Sequence, residues 1–217
     1  MAVSRPTKNV LWDAYSHNTK NLIIFYCIFS LLHKGNQLKH ITSGCLFWIT
    51  GLSGAGKTSI GEIFTELLRE RYDNVVFLDG DELRTIFDSS STENSYSQCA
   101  RLSLAYKYAR LCENLARQGQ NVVCATISLF PEIWHWNRSH NANYFETYIQ
   151  VPFPILVERN KKGLYRSVSS SENAANVVGI DIPFHPPDTP DLTIINDGSE
   201  APSFLAQKIF EYWLSTQ

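Results

Sequence analysis

Residues 51 to 58 read Gly-Leu-Ser-Gly-Ala-Gly-Lys-Thr and fit G-x-x-x-x-G-K-[ST] without a mismatch. That spacing is suited to holding phosphates. Glycines remove the Cβ atoms that would keep backbone N–H groups from closing round a β-phosphate. A helix starting at the lysine turns its partial positive end toward the same anion. Lys57 can reach the β- and γ-phosphates, and the Thr58 hydroxyl is the kind of oxygen that ligates Mg²⁺. Gly51, Leu52, Ser53, Gly54, Ala55, Gly56, Lys57, Thr58 and Ser59 therefore form the expected ATP-binding loop, with Lys57 catalytic and Thr58 a metal ligand.

A second group of candidates follows. Asp79-Gly80-Asp81 comes 22 residues after Lys57, at the end of an apolar run. A carboxylate there faces the phosphates, and Asp79 is expected to orient Mg²⁺ or to accept a hydroxyl proton. Asp81 has two readings, an acceptor-site ligand or the N-cap of a helix over 82–87. Arg84 lies one turn on, within reach of an anionic substrate. Arg159, Lys161, Lys162 and Arg166 are placed where small P-loop kinases carry a polar lid.

These residues need elements to hold them. Cys45–Thr50 is a short apolar run closed by glycine, as in a buried parallel strand. Ile60, Ile63, Phe64, Leu67 and Leu68 share one helical face. Val75–Leu78, Val122–Ile127, Tyr144–Val151 and Leu192–Ile195 read as further strands. Leu104, Tyr108, Leu111 and Leu115 stripe a helix that stops at Gly119. Leu205, Ile209 and Trp213 stripe a closing helix. Alternating strands and helices imply an α/β fold, a doubly wound parallel five-stranded sheet with helices on both faces. Ligands in such sheets bind at the carboxyl ends of the strands, where Gly51, Asp79 and Ser128 fall.

Composition removes several classes. Of 217 residues, 44% are hydrophobic, and 11 glycines and 9 prolines are too few for a collagen-like or low-complexity chain. Nineteen Lys and Arg stand against 21 Asp and Glu, a formal net charge of −2, with no basic patch for nucleic acid. No N-K-x-D motif for guanine is present, so a GTPase is disfavoured. The five cysteines lack metal or C-x-x-C spacing and read as buried, reduced thiols. Leu22–Leu32 is apolar over 11 residues, broken by Ser30. It falls short of the roughly 20 residues needed to span a bilayer. A packed helix, a disordered leader and a membrane anchor all remain open for it. The expected division is an N-terminal extension over residues 1–44 and a P-loop nucleotide kinase domain over 45–217. Residues 167 to 190 read as a loop.

Phe47–Gly61 (FWITGLSGAGKTSIG), Leu78–Arg84 (LDGDELR), Lys162–Tyr165 (KGLY), Gly179–Asp181 (GID) and Pro187–Leu192 (P-x-x-P-D-L) occur in that order. The set resembles the adenylyl-sulfate kinase family over residues 45 to 217. The resemblance implies transfer of phosphate from ATP to the ribose 3′-hydroxyl of a small nucleotide. It implies roles for Asp81, Arg84, Arg101, Ile127, Lys162, Gly179 and Asp181 around that acceptor, and for Arg159 in the lid. Ser128 matches a serine that the family is said to use as a phosphoserine intermediate. A hydrogen-bonding role for Ser128 is the alternative.

Departures from the pattern bear on the acceptor. The family's D-R-x-x-N-x-R-R helix reads here Ala100-Arg101, then Leu104, then Tyr106-Lys107. Phenylalanines that hold adenine in the family correspond here to Thr126 and Val177. Loss of both aromatic planes weakens the case for adenine. The stretch CATISLFPEIWHWNR resembles a branch associated with capsule or surface polysaccharide, one type of which is cytidine diphosphoramidate kinase. Adenylyl sulfate is the default acceptor, a cytidine diphosphoramidate-type nucleotide is the alternative, and a non-catalytic nucleotide-binding partner is the third. The expected partner is a small nucleotide, with no nucleic acid and no stable membrane insertion. A homodimer is left open, and the expected location is cytoplasmic.

Overall fold

The computed structural model describes residues 43–87, 97–159 and 184–217. Cys45–Thr50 (β1) leads into the phosphate loop and then Lys57–Arg69 (α1). Val75–Asp79 (β2), Gly80–Phe87 (α2), Gln98–Arg117 (α3) and Asn121–Thr126 (β3) follow. Next come Pro131–His140 (α4), Asn143–Gln150 (β4), Phe153–Glu158 (α5), Leu192–Ile195 (β5) and Pro202–Ser215 (α6). All strand pairs are parallel, in the order β2-β3-β1-β4-β5. The doubly wound sheet is therefore as expected, and the expected strands agree to within a residue or two.

β1 is buried on both faces, which is why its sequence runs apolar without alternation. Phe47 and Ile49 face α1 and α6, packed with Ile60, Phe64, Leu205, Ile209 and Trp213. Phe47 meets Phe64 and Trp213 edge to face at centroid distances of 5.1 and 5.0 Å. Leu46 and Trp48 face the other way, into Leu104, Tyr108, Cys112 and Ile133 from α3 and α4. Leu104 is thus a core residue.

Two short helices, α4 and α5, were not legible as helices in the sequence. α4 buries only Ile133, Trp134 and Asn137, too few for a clear stripe. Its one local signal is proline at the first helical position, and α5 has Pro152 at its N-cap and Pro154 at its second position. α4 also holds a polar seam. Glu146 on β4 is 1% exposed, and its Oε2 accepts from the Arg138 guanidinium at 3.0 Å. Arg138 donates as well to the Thr189 carbonyl and to Asp191, and so ties α4 to the run into β5. Burial first, opposed by the charge of Arg138, pushes the Glu146 carboxyl up to about 7.

The cysteines depart from expectation at one position. Cys112 and Cys124 are buried and Cys45 is half-buried, but Cys99 is exposed on the first turn of α3. Among the described residues no helix is long and apolar enough to cross a membrane. Cys27, the apolar run 22–32 and most of the loop 167–190 lie outside the described residues. The domain's first described residues are tied down: Gly44 N–H donates to the Ala116 carbonyl, and Asn143 Nδ2 donates to the Ser43 carbonyl.

Candidate active site

The phosphate loop leaves β1 at the centre of the sheet. A Cβ on Gly51 would fall 2.5 Å from the Ile149 carbonyl, so only glycine lets the loop hug β4. Gly56 adopts a left-handed conformation (φ 88°) and begins α1 without any side-chain cap. The open N–H groups of that first turn are what an anion would satisfy. Lys57 is 9% exposed, and its Nζ crosses the loop to the Leu52 carbonyl at 2.9 Å. Thr58 and Ser59 are exposed on the first turn of α1, Ser53 is half-buried, and Leu52 and Ala55 are buried.

Asp79 closes β2 and is the hub of the second cluster. Its Oδ2 accepts the Thr58 hydroxyl at 2.6 Å, joining the first turn of α1 to the end of β2. Its Oδ1 accepts Asp81 N–H at 2.7 Å and Glu82 N–H at 3.4 Å. The helix cap assigned in one reading to Asp81 thus belongs to Asp79, because α2 begins at Gly80, two residues earlier than expected. Asp81 is left exposed on the first turn, and Arg84 sits half-buried one turn on.

At the end of β3 and just beyond it, Thr126 and Ser128 are both buried, at 4% and 7% exposure, and their hydroxyl oxygens lie 2.9 Å apart. The Thr50 hydroxyl donates to the Ile127 carbonyl at 2.6 Å, fixing this turn against the end of β1. The Tyr108 hydroxyl donates to the Gly80 carbonyl at 3.2 Å, which brings α3 under the same corner. Arg101 lies half-buried on the first turn of α3. The structure therefore gathers the phosphate loop, Asp79, Asp81, Ile127 and Ser128 at one edge of the sheet. Lys162, Gly179, Asp181, Val177 and the lid candidates Lys161 and Arg166 lie outside the described residues.

Sequence reasoning missed Asn196. It follows β5 directly and is 6% exposed. Its Nδ2 donates to the Ala55 carbonyl at 2.9 Å, and its Oδ1 accepts from Arg159 Nη2 at 3.1 Å. A polar residue closing the apolar strand LTII, at the carboxyl edge of a parallel sheet, was the available signal. Arg159, expected in the lid, is the C-cap of α5 and is held by this amide. Aromatic residues near the acceptor corner are committed elsewhere. Trp134 is buried with Leu52, Leu129, Tyr148 and Leu156. Trp136 meets Tyr106 edge to face and stacks on His140 at 4.2 Å.

Comparison with known proteins agrees with this geometry. The family described as adenylylsulphate kinase matches residues 43–195. The chain belongs to the adenylylsulphate kinase family. A cytidine diphosphoramidate kinase of Campylobacter jejuni is 42% identical over 151 residues, covering 70% of this chain and 85% of the relative. An adenylyl-sulfate kinase of Gloeothece citriformis is 32% identical over 160 residues, covering 72% and 87%. Among solved structures, the Mycobacterium tuberculosis APS kinase CysC, in complex with AMPPNP and APS, superposes with a TM-score of 0.69. It is 27% identical over 79% of this chain and 98% of its own. As a member of this family the chain is an ATP-dependent phosphotransferase and a nucleotide kinase. That placement sets aside the non-catalytic reading.

Proposed function

We propose that the chain phosphorylates the ribose 3′-hydroxyl of a small cytidine nucleotide of the diphosphoramidate type, with Mg²⁺-bound ATP as donor. The observation that carries the choice of acceptor is Thr126. Where the family resemblance calls for an aromatic face on adenine, this chain has a buried hydroxyl turned onto Ser128. Leu104, in the helix the family uses to grip the sulfonucleotide, is packed into the core. The 42% identity to a cytidine diphosphoramidate kinase supports the same reading.

In this reading the acceptor 3′-oxygen attacks the γ-phosphorus, the bond from that phosphorus to the bridging oxygen breaks, and ADP leaves. Asp79 takes the hydroxyl proton. Lys57 and the loop amides hold the donor phosphates in line. Arg84 and Arg101 draw the acceptor's negative charge, and Asp81 and Ile127 lie beside it; the family resemblance alone assigns acceptor roles to Lys162, Gly179 and Asp181. Ser128 serves as a hydrogen-bonding group, since its hydroxyl is paired with Thr126. A hard divalent cation suits the donor set, because the Thr58 hydroxyl and Asp79 carboxylate are oxygen ligands 2.6 Å apart. When bound, Mg²⁺ neutralises charge developing on the transferred group. The rest is positioning and electrostatics.

The test is kcat/KM for adenylyl sulfate beside cytidine diphosphate-type acceptors on one enzyme preparation. Each of the two lost stacking faces is worth about 1–3 kcal/mol, so adenylyl sulfate should be disfavoured by about 30- to 10⁴-fold. A preference for adenylyl sulfate would overturn this acceptor. The family placement favours that second reading, with 3′-phosphoadenylyl sulfate as product.

A further inference from the structure

The side-chain amide of Asn196 touches the phosphate loop at the Ala55 carbonyl. Three observations define the contact. First, Asn196 is 6% exposed, and its own N–H donates to the Gln150 carbonyl at 2.8 Å, so its backbone is anchored to β4. Second, its Oδ1 faces Arg159 Nη2 at 3.1 Å. Arginine has only donors to offer, so the atom facing it must be the amide oxygen, which leaves Nδ2 for the Ala55 carbonyl at 2.9 Å. Third, the fit is close: a Cβ added to Gly56 would lie 2.8 Å from that Nδ2.

The peptide bond between Ala55 and Gly56 is trans. In a trans peptide the carbonyl and the following N–H point in opposite directions. Drawing the Ala55 carbonyl outward onto Asn196 therefore turns the Gly56 N–H inward, toward the space the loop encloses. Glycine at 56, with φ 88°, has the conformational freedom to let that peptide rotate if nothing holds it. We propose that Asn196 is a positioning residue of the donor site. Its side-chain amide, oriented by Arg159, holds the 55–56 peptide so that the Gly56 N–H is aimed at the donor's β-phosphate before nucleotide arrives. Asn196 touches no reacting atom in this role. It acts by preorganisation, which spares the loop a reordering cost on binding. The inference does not depend on which acceptor the enzyme uses.

The experiment compares full-length wild type with Asn196→Ala and Asn196→Asp. The aspartate keeps the partner for Arg159 and the shape of the side chain but has no donor for the Ala55 carbonyl. Dissociation constants for ADP and for AMP, which lacks the β-phosphate, are measured by calorimetric titration, the weaker AMP by displacement. Melting without nucleotide is recorded alongside. Both variants should bind ADP about 10- to 100-fold more weakly, with AMP changed by less than about threefold. If the alanine variant does not fold, the aspartate variant decides. ADP affinity within about threefold of wild type in a folded variant would overturn the proposal. So would an equal loss for ADP and AMP, because that is the mark of general disruption and not of a misaimed β-phosphate donor.

Discussion

Lys57 keeps its ammonium nearly out of solvent, on a backbone carbonyl of the loop it belongs to. An incoming polyphosphate can engage that ammonium through charge-assisted hydrogen bonds. Lys57→Ala should cost little stability, about 1 kcal/mol, because the side chain lies in the loop and not in either apolar core cluster. The same change should lower kcat by about 10³-fold or more, because the charge acts on the transferred group in the transition state. Steady-state kinetics with a parallel thermal melt check both halves. Turnover near wild type would mean the loop does not hold the donor. Asp79 is constrained in a different way. Both of its oxygens are engaged, one by Thr58 and one by the first turn of α2, so the carboxylate is aimed by the structure before any ligand arrives.

Between elements, the contact that responds to pH is the seam where α4 meets β4 and the run into β5. Glu146 is faced by Arg138 from α4, by Tyr144 from its own strand and by Asp191 ahead of β5. Its carboxyl is raised to about 7, above its ordinary 4.5, by burial first. The folded protein therefore binds a proton in a range where the unfolded chain has released it. The resulting stability is fully present below about 4.5 and is lost as pH rises through about 7. The melting temperature should fall between these limits as pH increases, and Glu146→Gln should flatten that slope. Parallel pH profiles for wild type and Glu146→Gln, followed by circular dichroism, would show that Glu146 is not the group responsible.

Across the whole molecule, the described sheet carries its own start. Ser43 and Gly44 are hydrogen-bonded to β4 and to the end of α3, which fixes the lead-in to β1. A chain beginning at Ser43 should stay soluble, retain the ADP affinity of the full chain and keep its acceptor kinetics. Gel filtration and nucleotide titration measure this. Aggregation of the shortened chain would mean that residues 1–42 cover apolar surface of the domain. The sheet order β2-β3-β1-β4-β5 places β1 between β3 and β4. That places the phosphate loop at the middle of the carboxyl edge, with β2 and β3 offering Asp79 and Ser128 on one side and β5 offering Asn196 on the other.

The phosphate loop, Asp79, the five strands and the parallel topology were legible in the amino-acid sequence. Each depends on a local rule: glycine spacing, apolar runs of strand length, helical periodicity, and the handedness of strand–helix–strand units. The departures at Leu104 and Thr126 were legible too, because the motifs around them supply the register. Other features depended on where distant residues meet. Asn196 and Ala55 are 141 positions apart, and no pattern along the chain pairs them. Asp79 displaced Asp81 as the cap because α2 starts at once where β2 ends, a boundary set by tertiary contacts and not by propensity. Trp136 and Tyr106, 30 positions apart, meet edge to face where α4 packs against α3, and no local pattern pairs them. Local sequence specifies which groups can bind phosphate. Burial and long-range hydrogen bonds decide which of them are aimed, because a side chain's direction is fixed by what it packs against.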